Sequence, residues 1–167
     1  SLTFFMENIY YTSVETPVGI LQLAADENFL LSVTFGKEQA DSPLPLPEIV
    51  QEATQQLQAY FTGHCFRFSV PIRPSGSDFQ KKVWQLVLQV PFGETASYLD
   101  IARQLGSEKY TRAVGLANGK NPLPILVPCH RIIGSGGQLT GYAGGIDRKR
   151  WLLRHESELR PRPGRLF

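Results

Sequence analysis

The stretch Pro71-Ile-Arg-Pro-Ser-Gly-Ser77 constrains this chain more than any other. Its two prolines cannot donate to a sheet ladder, and the Ser-Gly-Ser that follows offers nothing to pack. A chain of 167 residues is therefore expected to divide there into two small units. The expected organisation is 1–75, then 76–160, then a short tail at 161–167 rich in Arg and Pro.

Charge divides at the same place. Residues 1–77 hold three basic residues (Lys37, Arg67, Arg73) and eight acidic ones, a balance of −5. The chain totals of 17 and 15 leave fourteen basic and seven acidic residues for 78–167, a balance of +7. That asymmetry fits a second half that meets a polyanion, although clustering of ordinary surface cations gives the same count. The apolar fraction of 42% suffices for a packed core. No apolar run approaches the roughly 18 residues of a membrane span, and nothing resembles a cleavable leader. Cys65 and Cys129 lie far apart, without paired Cys/His spacing. These features predict free thiols, a cytoplasmic setting, and neither a metal nor a cofactor.

The first half reads as a small α/β unit. Ile9–Val14, Gly19–Ala24 and Leu30–Phe35 are β-rich runs separated by turn residues. Ser42–Pro47 carries three prolines and predicts a loop. Ile49, Val50, Ala53, Leu57, Tyr60 and Phe61 then recur at helical spacing. Phe66, Phe68 and Val70 alternate with polar residues and predict a half-buried strand.

The second half reads as short helices. Phe79–Val90 is periodic and stops before Pro91. Ser97 with Asp100 predicts a capping box, Ile101, Ala102 and Leu105 a buried face, and Gly106 a helix end. Another helix is expected from about Ser107 to Asn118, carrying Arg112 and completing a helix-turn-helix pattern. A last amphipathic helix covers Asp147–Glu156.

The chemistry concentrates in Pro122-Leu-Pro-Ile-Leu-Val-Pro-Cys-His-Arg131. A buried run, Ile125–Val127, ends at Pro128 and delivers Cys129 beside an imidazole. A thiol with a reference pKa of about 8.5 needs help to ionise near neutral pH, and His130 is placed to give it. Glu156 could supply the carboxylate that holds the imidazole. A buried structural cysteine beside a surface histidine is the alternative that the pair leaves open.

Taken with Gly93-Glu-Thr-Ala-Ser-Tyr98, Arg112-Ala-Val-Gly115, Asn121-Pro122, Gly141-Tyr-Ala-Gly-Gly145 and Trp151-Leu-Leu-Arg-His-Glu156, this stretch resembles the methylated-DNA–protein-cysteine methyltransferases, the O6-alkylguanine-DNA alkyltransferase family. The resemblance covers nearly the whole chain. It implies an α/β (α+β) ribonuclease H-like first domain and a mostly helical, winged helix-turn-helix second domain. It also implies repair of DNA by a single, irreversible alkyl transfer to Cys129. In that family pattern His130 draws the thiol proton through a bridging water, Glu156 holds His130, Asn121 braces the turn, and Tyr98 donates toward N3 of guanine. The lesion would be flipped from a duplex bound through its minor groove, with Arg112 filling the gap and the small Ala113 and Gly115 permitting close approach. Ser135 would also face DNA. Pro124, Ile132, Tyr142 and Ala143 would line the base pocket, bounded by the loop 134–145. The partner is double-stranded DNA containing O6-alkylguanine, and the protein is expected to act as a monomer.

The chain departs from some relatives at Ala143, where they carry serine, and at Leu139 and Thr140, which are bulkier and would narrow the pocket. The cysteine and histidine set that binds zinc in some relatives is also missing, and Cys65 is expected to be incidental. Two other classes compete with this reading. A non-catalytic lesion sensor of the alkyltransferase-like kind would carry another residue at Cys129, and a Cys-His-Glu thiol hydrolase would turn over repeatedly.

Overall fold

The computed structural model describes residues 8–160, so the tail expected at 161–167 lies outside the described residues. The chain divides into two compact units, Ser1–Ser75 and Gly76–Phe167.

In the first unit β1 (Tyr10–Thr16), β2 (Gly19–Ala25) and β3 (Leu30–Phe35) form an antiparallel sheet in that order. Val14, Leu21, Leu23 and Val33 are buried, and α1 (Glu48–Phe61) contributes Ile49, Val50, Ala53, Leu57 and Tyr60 to the same core. Gln22 is buried on β2 and ties down the loop after β3, donating to Gln39 O and accepting from the amides of Glu38 and Gln39. Asp26 accepts from the amides of Asn28 and Phe29, which closes the β2–β3 turn, and pairs with Arg73 at 2.6 Å.

The strand expected at Phe66–Val70 does not form. The backbone there is irregular and Phe66 is exposed. Its amides are claimed by a side chain instead of a neighbouring strand: Gln56 on α1 accepts from Ser69 N at 3.0 Å and Val70 N at 3.2 Å. Phe68 settles against the ring of Tyr60. The chain joins the sheet only as an isolated parallel bridge between Leu30 and Ile72.

The second unit is mostly helical. Ser77 caps α2 (Asp78–Val87) in a capping box with Gln80. Gly76 is seated against the Trp84 ring so closely that a Cβ would overlap it. The helix ends at Val87, three residues before Val90. Trp84 is buried and donates Nε1–H to Ala117 O at 2.8 Å, which locks α2 to α4 (Thr111–Gly119). Ser97 and Asp100 form the expected capping box at the start of α3 (Tyr98–Gln104), and Gly106 turns the chain out of it with φ of 108°.

The helix expected from Ser107 starts later. Ser107 instead caps a short 3-10 turn at Glu108–Tyr110, and the Thr111 hydroxyl donates to Glu108 O. Arg112 is therefore the second residue of α4. Two short strands, β4 (Ala96–Ser97) and β5 (Ile132–Ile133), pair in parallel. They place the start of α3 beside the segment that leaves Cys129. Helix α5 (Ile146–Leu159) closes the unit, burying Lys149, Leu152 and Glu156.

Candidate active site

Everything around Cys129 follows from how the chain reaches it. Asn121, just past α4, donates Nδ2–H to Val127 O at 2.8 Å and accepts Leu123 N–H at 2.9 Å. Between these anchors Ile125 is held at φ of 77°, a left-handed conformation costly for a β-branched residue. Pro124 and Val127 bridge the turn, and Val127 N–H closes it on Leu123 O. Cys129 N–H then bonds Val127 O at 2.7 Å and begins a 3-10 turn, Cys129–Arg131. From α4, buried Asn118 donates to Cys129 O at 3.1 Å.

Cys129 is only 4% exposed. Burial pushes its thiol up to about 11, while the Asn121 amide, the Lys149 charge and the nearby backbone pull it back down. The resting sulfur is therefore a thiol. His130 is fully buried, and its Nε2 lies 2.6 Å from Glu156 Oε2. Burial would raise Glu156, but hydrogen bonds and charge from His130 and Arg131 outweigh it and hold the carboxyl well below the usual range. Burial lowers His130 despite the pull of Glu156. Since Glu156 is ionised, Nε2 must carry the proton it donates, which leaves a lone pair on Nδ1. Nδ1 is buried without a protein hydrogen-bond partner. A neutral imidazole with an open acceptor, next in sequence to a buried thiol, is equipped to receive a proton.

Arg131, also buried, braces this carboxylate. It donates Nε–H to Glu156 Oε1 at 2.7 Å, Nη2–H to Oε2 at 3.1 Å and Nη1–H to Val90 O at 2.7 Å, and its guanidinium lies over the Phe92 ring. Gly93 N–H adds a bond to Oε1 at 3.2 Å.

Sequence reasoning missed Lys149. It is fully buried and donates to Ile132 O at 2.6 Å, Thr140 O at 2.9 Å and the Tyr98 hydroxyl at 3.4 Å. Tyr98 in turn donates to Thr140 O at 2.9 Å. Burial lowers Lys149, and a charge on Cys129 would raise it again. The cation thus joins the surroundings of the sulfur to the Tyr98 phenol. The signal was present: Lys149, Leu152 and Glu156 share one helical stripe, so the lysine occupies a core position.

The structure brings Cys129, His130, Glu156 and Asn121 together, with Tyr98 and Ile132 joined to them through Lys149. Tyr142 is buried near Cys129, and burial together with a charge on that sulfur pushes its phenol up. A Cβ at Gly115 would meet the Tyr98 ring at 3.9 Å, and one at Gly141 would lie 3.5 Å from the Tyr98 hydroxyl. Helix α4, Tyr98 and the 134–145 loop therefore converge. Ala113 is half-buried on α4, whereas Arg112, Ser135 and Ala143 are exposed and take no part in this network among the described residues. Those residues also hold no cluster of three or more metal-ligating side chains and no helix long and apolar enough to cross a membrane.

Two family models match. Residues 9–74 match the ribonuclease-like domain of 6-O-methylguanine DNA methyltransferase, and residues 78–158 match its DNA binding domain. A methylated-DNA–protein-cysteine methyltransferase of Methanosarcina acetivorans is 47% identical over 89% of this chain and 98% of its own length. The protein of that name from Mycobacterium bovis is 45% identical over 95% and 99%. The crystal structure of Mycobacterium tuberculosis OGT in complex with DNA superposes with a TM-score of 0.81 at 45% identity, covering 90% of this chain and 94% of that one.

Proposed function

The chain belongs to the 6-O-methylguanine DNA methyltransferase family, and from that membership we infer that it repairs alkylated DNA by moving an alkyl group from O6 of guanine onto Cys129. The observation that carries the reading is the buried Glu156–His130 pair, which leaves open the Nδ1 lone pair of the residue next in sequence to Cys129.

The resting thiol gives its proton to His130 Nδ1, through a bridging water in the family pattern, and Glu156 stabilises the imidazolium. Lys149 offsets charge on the sulfur. The thiolate attacks the alkyl carbon, the carbon–sulfur bond forms, and the carbon–O6 bond breaks with its electron pair going to the base. Tyr98 gives up its bond to Thr140 O and donates toward N3, while the Lys149 ammonium makes the phenol a better donor. The product is a thioether, and no second nucleophile of this site would regenerate the thiol, so each molecule acts once.

The protein binds DNA through the α3–α4 pair, and the base must leave the stack to reach a buried sulfur. In this reading Arg112 and Ala113 of α4 enter the minor groove with Gly115, and Arg112 fills the vacated stack. Ser135 meets the backbone. Pro124, Ile132, Tyr142 and Ala143 surround the flipped base, and Asn121 keeps the Cys129 turn in register. The protein acts as a monomer in the cytoplasm.

Intact-protein mass after incubation with excess duplex containing O6-methylguanine tests the reading. One added methylene in the wild type, absent in Cys129→Ala, is expected. Tight lesion binding without any mass change would replace it with a damage sensor.

A further inference from the structure

The family pattern assigns Glu156 to His130, yet in this structure the same carboxylate is gripped more extensively by Arg131. Oε2 receives both His130 Nε2 at 2.6 Å and Arg131 Nη2 at 3.1 Å, while Oε1 receives Arg131 Nε at 2.7 Å. Arg131 is itself held in place by Val90 O and by the Phe92 ring, so the fork cannot swing away without losing both.

This has a chemical consequence. A buried carboxylate facing an imidazole alone favours the imidazolium, because one charge then compensates the other. His130 would hold a proton on Nδ1 at rest and could accept none from Cys129. A guanidinium is charged at every accessible pH, so an Arg131–Glu156 pair presents His130 with little net charge while still accepting its Nε2–H. The charged and titratable groups around the imidazole are few. Glu156 and Lys149 face it from α5, Arg131 and Cys129 from its own turn, and only Glu156 favours its protonation at rest.

We propose that Arg131 is a positioning residue that keeps His130 neutral, and Nδ1 open, by neutralising the Glu156 carboxylate it shares with the imidazole. The proposal rests on the reading of His130 as the proton acceptor, and its test separates the two.

The test uses the full chain with Arg131→Gln, whose amide still donates to Glu156 but carries no charge, and Arg131→Lys, which keeps the charge. Two quantities are read: the His130 titration by NMR in the resting protein without DNA, and the pH profile of single-turnover methyl transfer. In Arg131→Gln both the titration and the acid limb of the rate should move to higher pH. A titration displaced by one pH unit leaves about tenfold less neutral imidazole on the acid side. The rate on that acid limb then falls by that factor and recovers on raising the pH, a rescue that a merely loosened fold would not show. Arg131→Lys should keep both curves where the wild type has them, whatever its absolute rate. An unmoved His130 titration in Arg131→Gln overturns the proposal, and so does an equal displacement in Arg131→Lys. Should Arg131→Gln fail to fold, Arg131→Lys still decides, because a His130 titration raised with the charge retained is contrary to the proposal. A wild type that transfers nothing would defeat the functional reading while leaving the titration to judge Arg131.

Discussion

The two units bury polar side chains for different purposes. Among the described residues the first unit buries Gln22 and Asp26, and the second buries Asn118, Asn121, His130, Arg131, Lys149 and Glu156. Gln22 accepts backbone amides of the loop after β3, and Asp26 those of the turn that follows it. Their work is finished once those turns are tied. In the second unit the buried groups converge on one another and on Cys129, and His130 Nδ1, like Asn118 Oδ1, is left without a protein hydrogen-bond partner. A buried acceptor without a partner costs about 1–3 kcal/mol. A fold that needed only rigidity would have removed it, so the contrast marks where chemistry overrides packing.

The sharpest way to break this comparison is to neutralise one carboxylate in each unit. Glu156→Gln should slow methyl transfer by roughly 10²–10⁴-fold. Asp26→Asn should leave the single-turnover rate alone and cost about 1–3 kcal/mol of stability in urea melts. A rate loss in Asp26→Asn would dissolve the distinction. The next effect is on alkaline stability. The Cys129 thiol sits at about 11 in the fold against 9.0 unperturbed, so the unfolded chain ionises first as pH rises. Wild type should lose about 3 kcal/mol between those two values, and Cys129→Ala should be spared that loss. Lys149→Met should slow transfer about tenfold, the loss expected when the thiolate becomes tenfold scarcer, and raise the pH at which Cys129 reacts with an alkylating probe. Its stability should also fall, by about 1–3 kcal/mol, because Ile132 O and Thr140 O lose their donor inside the fold. The smallest effect is Ser97→Ala, which removes the α3 cap and should cost about 1 kcal/mol in thermal or urea unfolding.

Local pattern carried much of the fold. The alternating and helical runs placed β1 to β3, α1 and α5 to within a few residues, and Ser97–Asp100 announced its own capping box. Phe66–Val70 misled because its alternation is genuine, but Gln56, more than ten residues earlier, takes the amides that a strand would need. The β4–β5 pair was invisible for another reason: two-residue strands have no period, and their pairing joins positions 36 residues apart. The same distance problem hid Lys149 and the grip of Arg131 on Glu156. A lysine or arginine in a sequence reads as solvent-facing until the fold buries it, and the partners that make burial tolerable lie 17 and 25 residues away. Cys129 and His130 stood out because they are adjacent in sequence, with a motif around them.

The central claim is that Cys129 takes one alkyl group and is then spent. The most direct measurement counts guanine restored per protein molecule under a large excess of O6-methylguanine duplex. The account predicts a rise that stops at one equivalent and does not resume. Restoration that continues past one equivalent would show that the Cys129–His130–Glu156 site turns over, and would contradict it.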